Sequence, residues 1–369
     1  MPAGNPTKQK KRIYNARVLK YNIYIFESQI PFPLYDIEGD LIMANAVKRI
    51  GVLTSGGDAP GMNAAIRAVV RSANYRGIEC IGIRRGWNGL ISGDIVRLEE
   101  HSVAHIISRG GTMLYTARSK EFRTEEGQRK AMATCKLLGL DGIVAIGGDG
   151  TFRGALALAS HGISVVGVPA TIDNDISCTD YCIGYDTAAN TAIECIDKLR
   201  DTMQAHERCS VVEVMGRNAG HLAMYVGLAI GATAVLVPEE KETFGLDSLV
   251  EKIRSARLNG FTHYMIVVAE GAGSAAEVGE YIRENLGLDP RVTVLGHIQR
   301  GGSPNARDRV TATQMGHHAV ELLANGMTNR VVCTIADGEI SDVDISTGLA
   351  MHKGINQQQV EALRAMTGL

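Results

Sequence analysis

Short apolar runs alternate with longer amphipathic stretches along the chain from Arg49 onward. Such alternation predicts strands that lie side by side in a parallel sheet and are joined by helices. The predicted strands are Arg49–Thr54, Cys80–Ile83, Gly142–Ile146, Ser164–Val168, Cys209–Val214, Ala234–Val237, Tyr264–Ala269, Val292–Leu295 and Val331–Ile335. The predicted helices are Gly61–Asn74, Thr124–Leu138, Phe152–Ser160, Tyr185–Ala205, Ala219–Ile230, Leu246–Arg257, Ala275–Leu286 and Asp308–Ala324. The pattern therefore predicts an α/β fold with mainly parallel sheets.

One stretch without charged residues, 218–238, is long enough to cross a membrane. Three glycines and a histidine interrupt it, and its last part has strand character before Pro238. We therefore predict a helix, a turn and a strand here, and no membrane span. A signal peptide is not expected either, because the first apolar cluster, Ile23–Phe26, is too short.

The first 47 residues differ from the rest of the chain. They begin with a basic arm and continue into the segment SQIPFP at 28–33, whose prolines prevent a continuous helix. We interpret residues 1–47 as a poorly ordered extension, or as a stretch upstream of a natural start at Met43. An RNA-binding or targeting role is the less favoured alternative.

Length and charge narrow the classes of function. A chain of 369 residues exceeds the size of one ordinary core, so two lobes are expected. The net charge of -2 provides no basic field for nucleic acid, and an anionic substrate would need local arginine clusters. The seven cysteines are scattered without metal-ligand spacing, which predicts reduced thiols in a cytoplasmic protein.

Two glycine-rich loops each join a predicted strand to a predicted helix. They are TSGGDAPGMN at 54–63 and GGDGT at 147–151. Free backbone N–H groups and the helix dipole at such a junction favour phosphate binding, although an ordinary turn explains either loop alone. In the second loop Asp149 adds a carboxylate that can hold Mg²⁺ beside phosphates; a helix cap is the alternative.

The segment TIDND at 171–175 places two carboxylates at the end of a predicted strand, where α/β sheets bind their ligands. One carboxylate can accept a hydroxyl proton while its neighbour organises metal or water. An Asx turn with solvated acids is the simpler alternative. The position of TIDND soon after a phosphate loop favours the chemical interpretation.

The arginine side chain suits bidentate contacts with phosphate. Several arginines lie at strand ends or glycine turns and together could hold more than one phosphate group. They are Arg118, Arg208, Arg217, Arg291 and Arg300. Any one of them alone is more typical of a solvated surface. Trp87, the single tryptophan, lies in a turn that is predicted to expose it, so it can serve as a platform for a base, with a core position as the alternative.

Taken together, these residues resemble the bacterial ATP-dependent 6-phosphofructokinases. The resemblance runs from Arg49 to the C-terminus through IGVLTSGGDAPGMNAAIR, GGT, IGGDGT, TIDND, VVEVMGR and VLGHIQRGGSP, in that order. It implies two doubly wound, Rossmann-like lobes with the active site in the cleft between them. The ATP-binding lobe would comprise residues 48–184 and 299–349, and the fructose 6-phosphate-binding lobe residues 185–298 and 350–369. The implied reaction is Mg²⁺-dependent transfer of the ATP γ-phosphate to the 1-hydroxyl of fructose 6-phosphate.

The resemblance also implies a role for each matching residue. Asp173 is the expected general base, and Thr171, Arg118 and Arg217 complete the catalytic set. Residues expected to contact ATP are Gly57, Trp87, Arg118, Gly148, Asp149, Gly150 and Thr151, with Mg²⁺ on Asp149. Those expected to contact the sugar phosphate are Thr171, Asp173, Asp175, Met215, Gly216, Arg217, Glu270, His297 and Arg300. Arg208 and Arg291 are expected to reach that site from a neighbouring subunit of a homotetramer.

Two positions bear on the phosphate donor. Family members that use pyrophosphate have Asp after GGD and Lys before TIDND, whereas this chain has Gly150 and Ala170. A carboxylate at position 150 would repel the α-phosphate, so ATP is the expected donor. The alternatives are a pyrophosphate-dependent phosphofructokinase and a catalytically silent, nucleotide-sensing subunit. An NAD or lipid kinase does not explain TIDND or GHIQRGGSP.

The effector site resembles the family less closely. Arg67, Arg71 and Arg200 match the family's effector arginines, but Glu100 replaces an arginine, Thr233 replaces an acidic residue, and residues 258–262 lack the expected lysines. An anionic effector would meet fewer cations and one added carboxylate. The resemblance therefore implies weakened or altered regulation by ADP and phosphoenolpyruvate.

Overall fold

Strands and helices alternate from Arg49 onward. The architecture is that of a computed structural model, which describes residues 47–240 and 245–367. Apart from Val47, the predicted N-terminal extension lies outside the described residues.

Within these ranges the strands are β1 (Arg49–Ser55), β2 (Glu79–Ile83), β3 (Ile95–Leu98), β4 (Gly142–Gly147), β5 (Ser164–Pro169), β6 (Cys209–Val214), β7 (Ala234–Leu236), β8 (Tyr264–Ala269), β9 (Arg291–Val294), β10 (Arg330–Thr334) and β11 (Ile340–Asp344). The α-helices are α1 (Met62–Tyr75), α2 (Trp87–Ser92), α3 (Glu125–Leu138), α4 (Asp149–Ala159), α5 (Tyr185–Ala205), α6 (His221–Ala229), α7 (Leu246–Leu258), α8 (Ala275–Leu286), α9 (Ala306–Ala324), α10 (Ile345–Ala350) and α11 (Gln357–Thr367).

The strands form two sheets. In the described part of the chain the larger sheet has seven strands in the order β11-β10-β5-β4-β1-β2-β3, and the smaller has four in the order β7-β8-β6-β9. Adjacent strands are parallel except at the two edges of the larger sheet, where β3 and β11 pair antiparallel. The prediction of an α/β fold with mainly parallel sheets is confirmed.

Both faces of the larger sheet are covered, which explains the continuous apolar runs in its central strands. In β1, Val52 belongs to the hydrophobic cluster on one face and Leu53 to the cluster on the other. In β4, Val144 and Ile143 divide in the same way. Since successive side chains of a strand point to opposite faces, a strand covered on both sides needs apolar residues at every position.

Among the described residues the pattern did not predict β3, β11, α2, α10 and α11, and both of these strands lie at edges of the larger sheet. Strand β11 has the sequence ISDVD and is half-buried throughout, so it lacks the apolar run of a central strand. Strand β3 and helices α2 and α10 are only four to six residues long. Residues 218–238 contain α6 and β7, as predicted. No helix in the described ranges is both long and apolar enough to cross a membrane.

Within the described residues the chain passes between the two sheets at 170–184, 295–305 and 351–356. Asp308, at the start of α9, fixes the first of these crossings. Its buried carboxylate accepts hydrogen bonds from Tyr181 Oη at 2.7 Å, the Gly184 amide at 2.6 Å and the Thr187 amide at 2.9 Å. Because these donors span the end of the crossing and the start of α5, the backbone that follows TIDND is held firmly.

Candidate functional site

The two glycine-rich loops lie side by side because β1 and β4 are neighbours in the sheet. Ser55 pairs with Gly147 where both strands end. The buried Thr151 hydroxyl donates a hydrogen bond to the Ser55 carbonyl oxygen at 2.9 Å. Gly56 has a φ of 94°, in the left-handed region that favours glycine. The loops therefore form one continuous backbone surface at the carboxyl edge of the sheet.

The second loop has free space beside it. Among the described residues, no atom lies within 4 Å of the position that a Cβ would occupy at Gly150. At Gly148 a Cβ would make only an ordinary contact, 3.9 Å from Ile176 Cδ1. Helix α4 begins at Asp149, so its first backbone N–H groups face this space. The geometry suits an anionic group such as a phosphate.

Arg300 reaches the first loop from the second crossing. Its Nη1 donates a hydrogen bond to the Asp58 carbonyl oxygen at 3.0 Å. A Cβ at position 57 would lie 2.6 Å from that nitrogen, so any side chain there would displace the guanidinium. Gly57 thus allows an arginine to approach the loop.

The loop that carries Arg118 is tied to the same region. The Thr116 hydroxyl donates a hydrogen bond to the Gly56 carbonyl oxygen at 2.8 Å, and the Thr54 hydroxyl donates to the Tyr115 carbonyl oxygen at 2.9 Å. Arg118 follows two residues after Thr116 and is exposed. Its guanidinium is therefore on a fixed loop and accessible to a ligand.

The TIDND segment begins directly after β5. Asp173 is 6% exposed, and its amide donates a hydrogen bond to Thr171 Oγ1 at 3.2 Å. Asn174 has a φ of 50°, a conformation that Asn tolerates better than most residues. Within the described chain, Asp173 Oδ1 is buried and has no hydrogen-bond partner. A buried carboxylate oxygen without a donor is costly, and such atoms are typical of binding and catalytic sites.

The charges around Asp173 come from four segments of the chain. Burial is the main cause that raises the pKa of Asp173 to about 6, and Asp175 and Glu270 act in the same direction. Arg300 and Arg217 oppose this rise. Two arginines that the sequence analysis singled out therefore lie close enough to act on Asp173. At neutral pH this carboxylate is ionised and remains basic enough to accept a proton.

Asp149 and Asp175 belong to the same group of acids. Burial raises the pKa of both, and the negative charge of Asp175 raises that of Asp149 further. Within the described residues no group of three or more His, Cys, Asp or Glu side chains could enclose a metal ion. Mg²⁺ often binds one or two carboxylates and takes its other oxygen ligands from water and phosphate, so Asp149 beside the loops fits this ion.

The smaller sheet contributes the residues after β6 and β8. Glu270 Oε1 accepts hydrogen bonds from the amides of Gly216, at 3.2 Å, and Arg217, at 2.6 Å. Gln299 Oε1 accepts one from the Met215 amide at 3.0 Å. Gln299 is fully buried, and the sequence analysis did not single it out although it lies inside the GHIQRGG motif. His297, two residues before it, is exposed.

Arg208 and Arg291 lie elsewhere. They precede β6 and begin β9, and these parallel strands pair Ser210 with Arg291. Met215 and the other residues just described follow the opposite ends of the strands. A six-residue strand such as β6 separates its ends by about 20 Å. The structure therefore does not bring these arginines to the site of their own chain.

Trp87 corrects one prediction. The tryptophan is 3% exposed, begins α2 and stacks on Phe122 with ring centroids 4.6 Å apart. The prediction that the turn exposes it is wrong, because the apolar ring packs into the cluster formed by Leu53 and its neighbours. With so little exposed surface the indole offers no free face to a base.

The three effector arginines have separate surroundings. Arg71, on α1 with Arg67, forms an exposed ion pair with Glu100 at 3.7 Å. Arg200 donates a hydrogen bond to the Ile230 carbonyl oxygen and lines a cavity of about 100 Å³ together with Thr233. The carboxylate at position 100 thus neutralises one of the arginines.

The family model and the most similar curated proteins that were compared all identify phosphofructokinases. The phosphofructokinase family model matches residues 49–323. ATP-dependent 6-phosphofructokinase of Clostridium botulinum (strain Loch Maree) is 53% identical over 312 residues, which cover 85% of this chain and 97% of that protein. The enzyme of the same name from Clostridium tetani is 51% identical over 321 residues, covering 87% and 100%.

A solved structure of phosphofructokinase from Saccharomyces cerevisiae superimposes with a TM-score of 0.76 and 34% sequence identity. The match covers 87% of this chain and 47% of the yeast chain, so this chain spans about half the length of that protein.

Proposed function

The chain belongs to the phosphofructokinase family, and on that premise we propose that it transfers the γ-phosphate of ATP to the 1-hydroxyl of fructose 6-phosphate, the committed step of glycolysis. The observation that carries the proposal is the buried Asp173 carboxylate, which lies among arginine charges beside two glycine-rich loops. Phosphoryl transfer needs a base, a phosphate cradle and positive charge in one place.

Asp173 acts as the general base. Its Oδ1 makes no hydrogen bond within the described chain, so its lone pairs are available to the 1-hydroxyl proton. A pKa of about 6 leaves the carboxylate ionised at neutral pH. Asp175 lies next to this centre and contacts the same sugar phosphate.

The nucleotide phosphates lie along the paired loops, in contact with Gly57, Gly148, Gly150 and Thr151. Thr171 and Arg118 stabilise charge on the transferred group as the bond to ADP breaks. Asp149 binds Mg²⁺, which neutralises charge on the phosphate oxygens when it is bound.

The sugar phosphate binds between the lobes. Met215, Gly216, Arg217, Glu270, His297 and Arg300 surround it. Glu270 accepts hydrogen bonds from the amides of Gly216 and Arg217 and so fixes the backbone from which the Arg217 side chain extends. We assign residues 48–184 and 299–349 to the ATP-binding lobe, and 185–298 and 350–369 to the sugar-phosphate lobe.

Side-by-side assays of phosphate donors test the function. With Mg²⁺ and fructose 6-phosphate, we expect turnover with ATP, and at least roughly 10²-fold less with pyrophosphate, since a site discriminates strongly against a ligand that leaves its polar groups unpaired. Chelation of Mg²⁺ should abolish the reaction. Comparable turnover with pyrophosphate would establish the other donor, and no turnover with either would favour the silent subunit.

Gly150→Asp sharpens the same test. A carboxylate about 4 Å from a phosphate in water costs about 1 kcal/mol, so kcat/KM for ATP should fall roughly fivefold. Ser160→Asp adds the same charge at the far, exposed end of α4 and should leave kcat/KM unchanged.

Arg208 and Arg291 act from a neighbouring subunit, most simply in a homotetramer. Their position at the far ends of β6 and β9 supports this proposal, because neither can reach the site of its own chain. The exposed Val292 and Val294 on edge strand β9 provide apolar surface for such a contact. Mass measurement at assay concentration tests it, and an active monomer would contradict it.

We further propose a cytoplasmic location.

Regulation is weakened at the effector arginines. Glu100 already pairs with Arg71, so an anionic effector must displace that carboxylate or bind against its repulsion. Ordinary allosteric effectors change ligand affinity by roughly fivefold or more. We expect ADP to change the fructose 6-phosphate concentration at half-saturation by less than this. Titration of the substrate with and without ADP measures this. A sigmoidal curve that ADP strongly relieves would contradict it.

A further inference from the structure

Lys353 lies in the third crossing between the sheets, residues 351–356. Before it, α10 packs against α4 and β10 of the larger sheet. After it, Ile355 and residues of α11 join the hydrophobic cluster of the smaller sheet. The first crossing carries TIDND and the second carries His297 and Arg300. The third crossing contains none of the residues proposed to contact ATP or the sugar phosphate.

The ammonium group of Lys353 contacts the backbone just beyond TIDND. Its Nζ donates hydrogen bonds to the carbonyl oxygens of Thr179, at 2.8 Å, and Asp180, at 3.3 Å. Asn174 Nδ2 donates to the same Asp180 carbonyl at 3.3 Å, and Asn174 Oδ1 accepts from the Cys182 amide at 2.9 Å. Lys353 and Asn174 therefore hold one turn from two sides.

Asn174 connects this turn to the chemistry. It lies between Asp173 and Asp175, and its φ of 50° sets the direction in which the two carboxylates leave the backbone. If the turn shifts, the hydrogen bonds that keep Asn174 in this conformation are lost. A displacement of about 1 Å at a reacting group can cost roughly 10²-fold in rate.

The charges facing Lys353 come from both sides of the crossing. Burial is the main cause that lowers the pKa of Lys353, and the negative charges of Asp180 and Asp175 oppose this lowering. Across from them, burial and then the charge of Lys353 lower the pKa of His221 to about 4. His221 is thus neutral at physiological pH. Burial raises the pKa of Asp175, and the positive charges of Arg217 and Lys353 oppose this rise.

We propose that Lys353 is a positioning residue for phosphoryl transfer, holding the turn at 174–182 so that Asp173 and Asp175 keep their places in the site. The inference rests on the proposed function and extends it to the C-terminal crossing. Lys353 acts through the backbone and Asn174, so it affects the rate of the bound complex more than the affinity for ATP.

Three variants test the proposal. Lys353→Met removes both the donor and the charge, and we expect kcat to fall roughly 10- to 100-fold with KM for ATP changed by less than about twofold. Lys353→Arg retains donors and charge and should recover most of the lost rate. Lys198→Met is the matched control, because Lys198 is exposed on α5 and pairs only with Glu194 among the described residues. It should behave as the unsubstituted protein.

Thermal melts of the same samples separate positioning from stability. If Lys353→Met melts earlier but keeps the full kcat at a temperature where it is folded, Lys353 is only structural and the inference is overturned. Equal losses in the Arg and Met variants would overturn it as well. An unsubstituted protein that does not phosphorylate fructose 6-phosphate would overturn the proposed function together with this inference, which distinguishes that failure from the other two.

Discussion

Replacing Asp173 by asparagine is expected to lower kcat by roughly 10²- to 10⁴-fold, the usual contribution of a positioned general base. The amide is nearly the same shape as the carboxylate but cannot accept the 1-hydroxyl proton at neutral pH. Because the substituted residue remains buried beside Arg300 and Arg217, binding of fructose 6-phosphate should change much less than the rate. Steady-state kinetics at saturating ATP measure both quantities.

The pH dependence of the unsubstituted protein gives a second readout of the same residue. With a pKa of about 6, Asp173 is progressively protonated below that pH, so kcat/KM should fall about tenfold per pH unit on the acid side. Asp201→Asn, which makes the same change at an exposed position of α5, is the control and should retain full activity. An Asp173→Asn protein with normal turnover would show that the base has been assigned to the wrong residue.

Arg118→Gln is expected to lower kcat by roughly 10²- to 10³-fold, as typically follows the loss of one donor that stabilises transition-state charge. The loop of Arg118 is fixed by hydrogen bonds from Thr116 and Thr54, so the substitution should remove the charge without moving the backbone. KM for fructose 6-phosphate should stay within about threefold, since the lost interaction is made mainly in the transition state.

Arg129→Gln is the matched control for this substitution. Arg129 is an exposed arginine on α3 that pairs with Glu125, and its removal should leave kcat unchanged. If Arg118→Gln raised only KM and left kcat intact, Arg118 would be assigned to ground-state binding and not to the transferring phosphoryl group.

The central strands were predictable because they are covered on both faces. Runs such as that of β4, where every side chain is buried, need no information about neighbouring strands. Strands β3 and β11 were not predicted, since β3 is only four residues long and the sequence ISDVD of β11 has no apolar run. Trp87 was assigned to an exposed turn because sequence alone does not show that Phe122 packs against its ring.

The motifs of the candidate site and their places at strand ends were predictable from the sequence. The structure adds the contacts between these motifs. No sequence pattern indicates that Gly57 leaves room for Arg300, or that buried Gln299 supports the Met215 amide, because each contact joins segments distant in the chain. The alternation of strands likewise predicts that residues after β6 share an edge. The same alternation places Arg208 and Arg291 at the opposite edge, because each stands at the amino end of a parallel strand.

The acids of the site also bear on how firmly the protein folds. A carboxyl group whose pKa is higher in the folded than in the unfolded chain reduces stability as pH rises between the two values. For Asp173, a rise from the ordinary 3.8 to about 6 corresponds to about 3 kcal/mol lost by neutral pH, and Asp149 and Asp175 act in the same direction. These three carboxylates therefore make the ligand-free protein more resistant to unfolding near pH 5 than at pH 7. Bound cations offset part of the cost of keeping the buried carboxylates ionised at neutral pH.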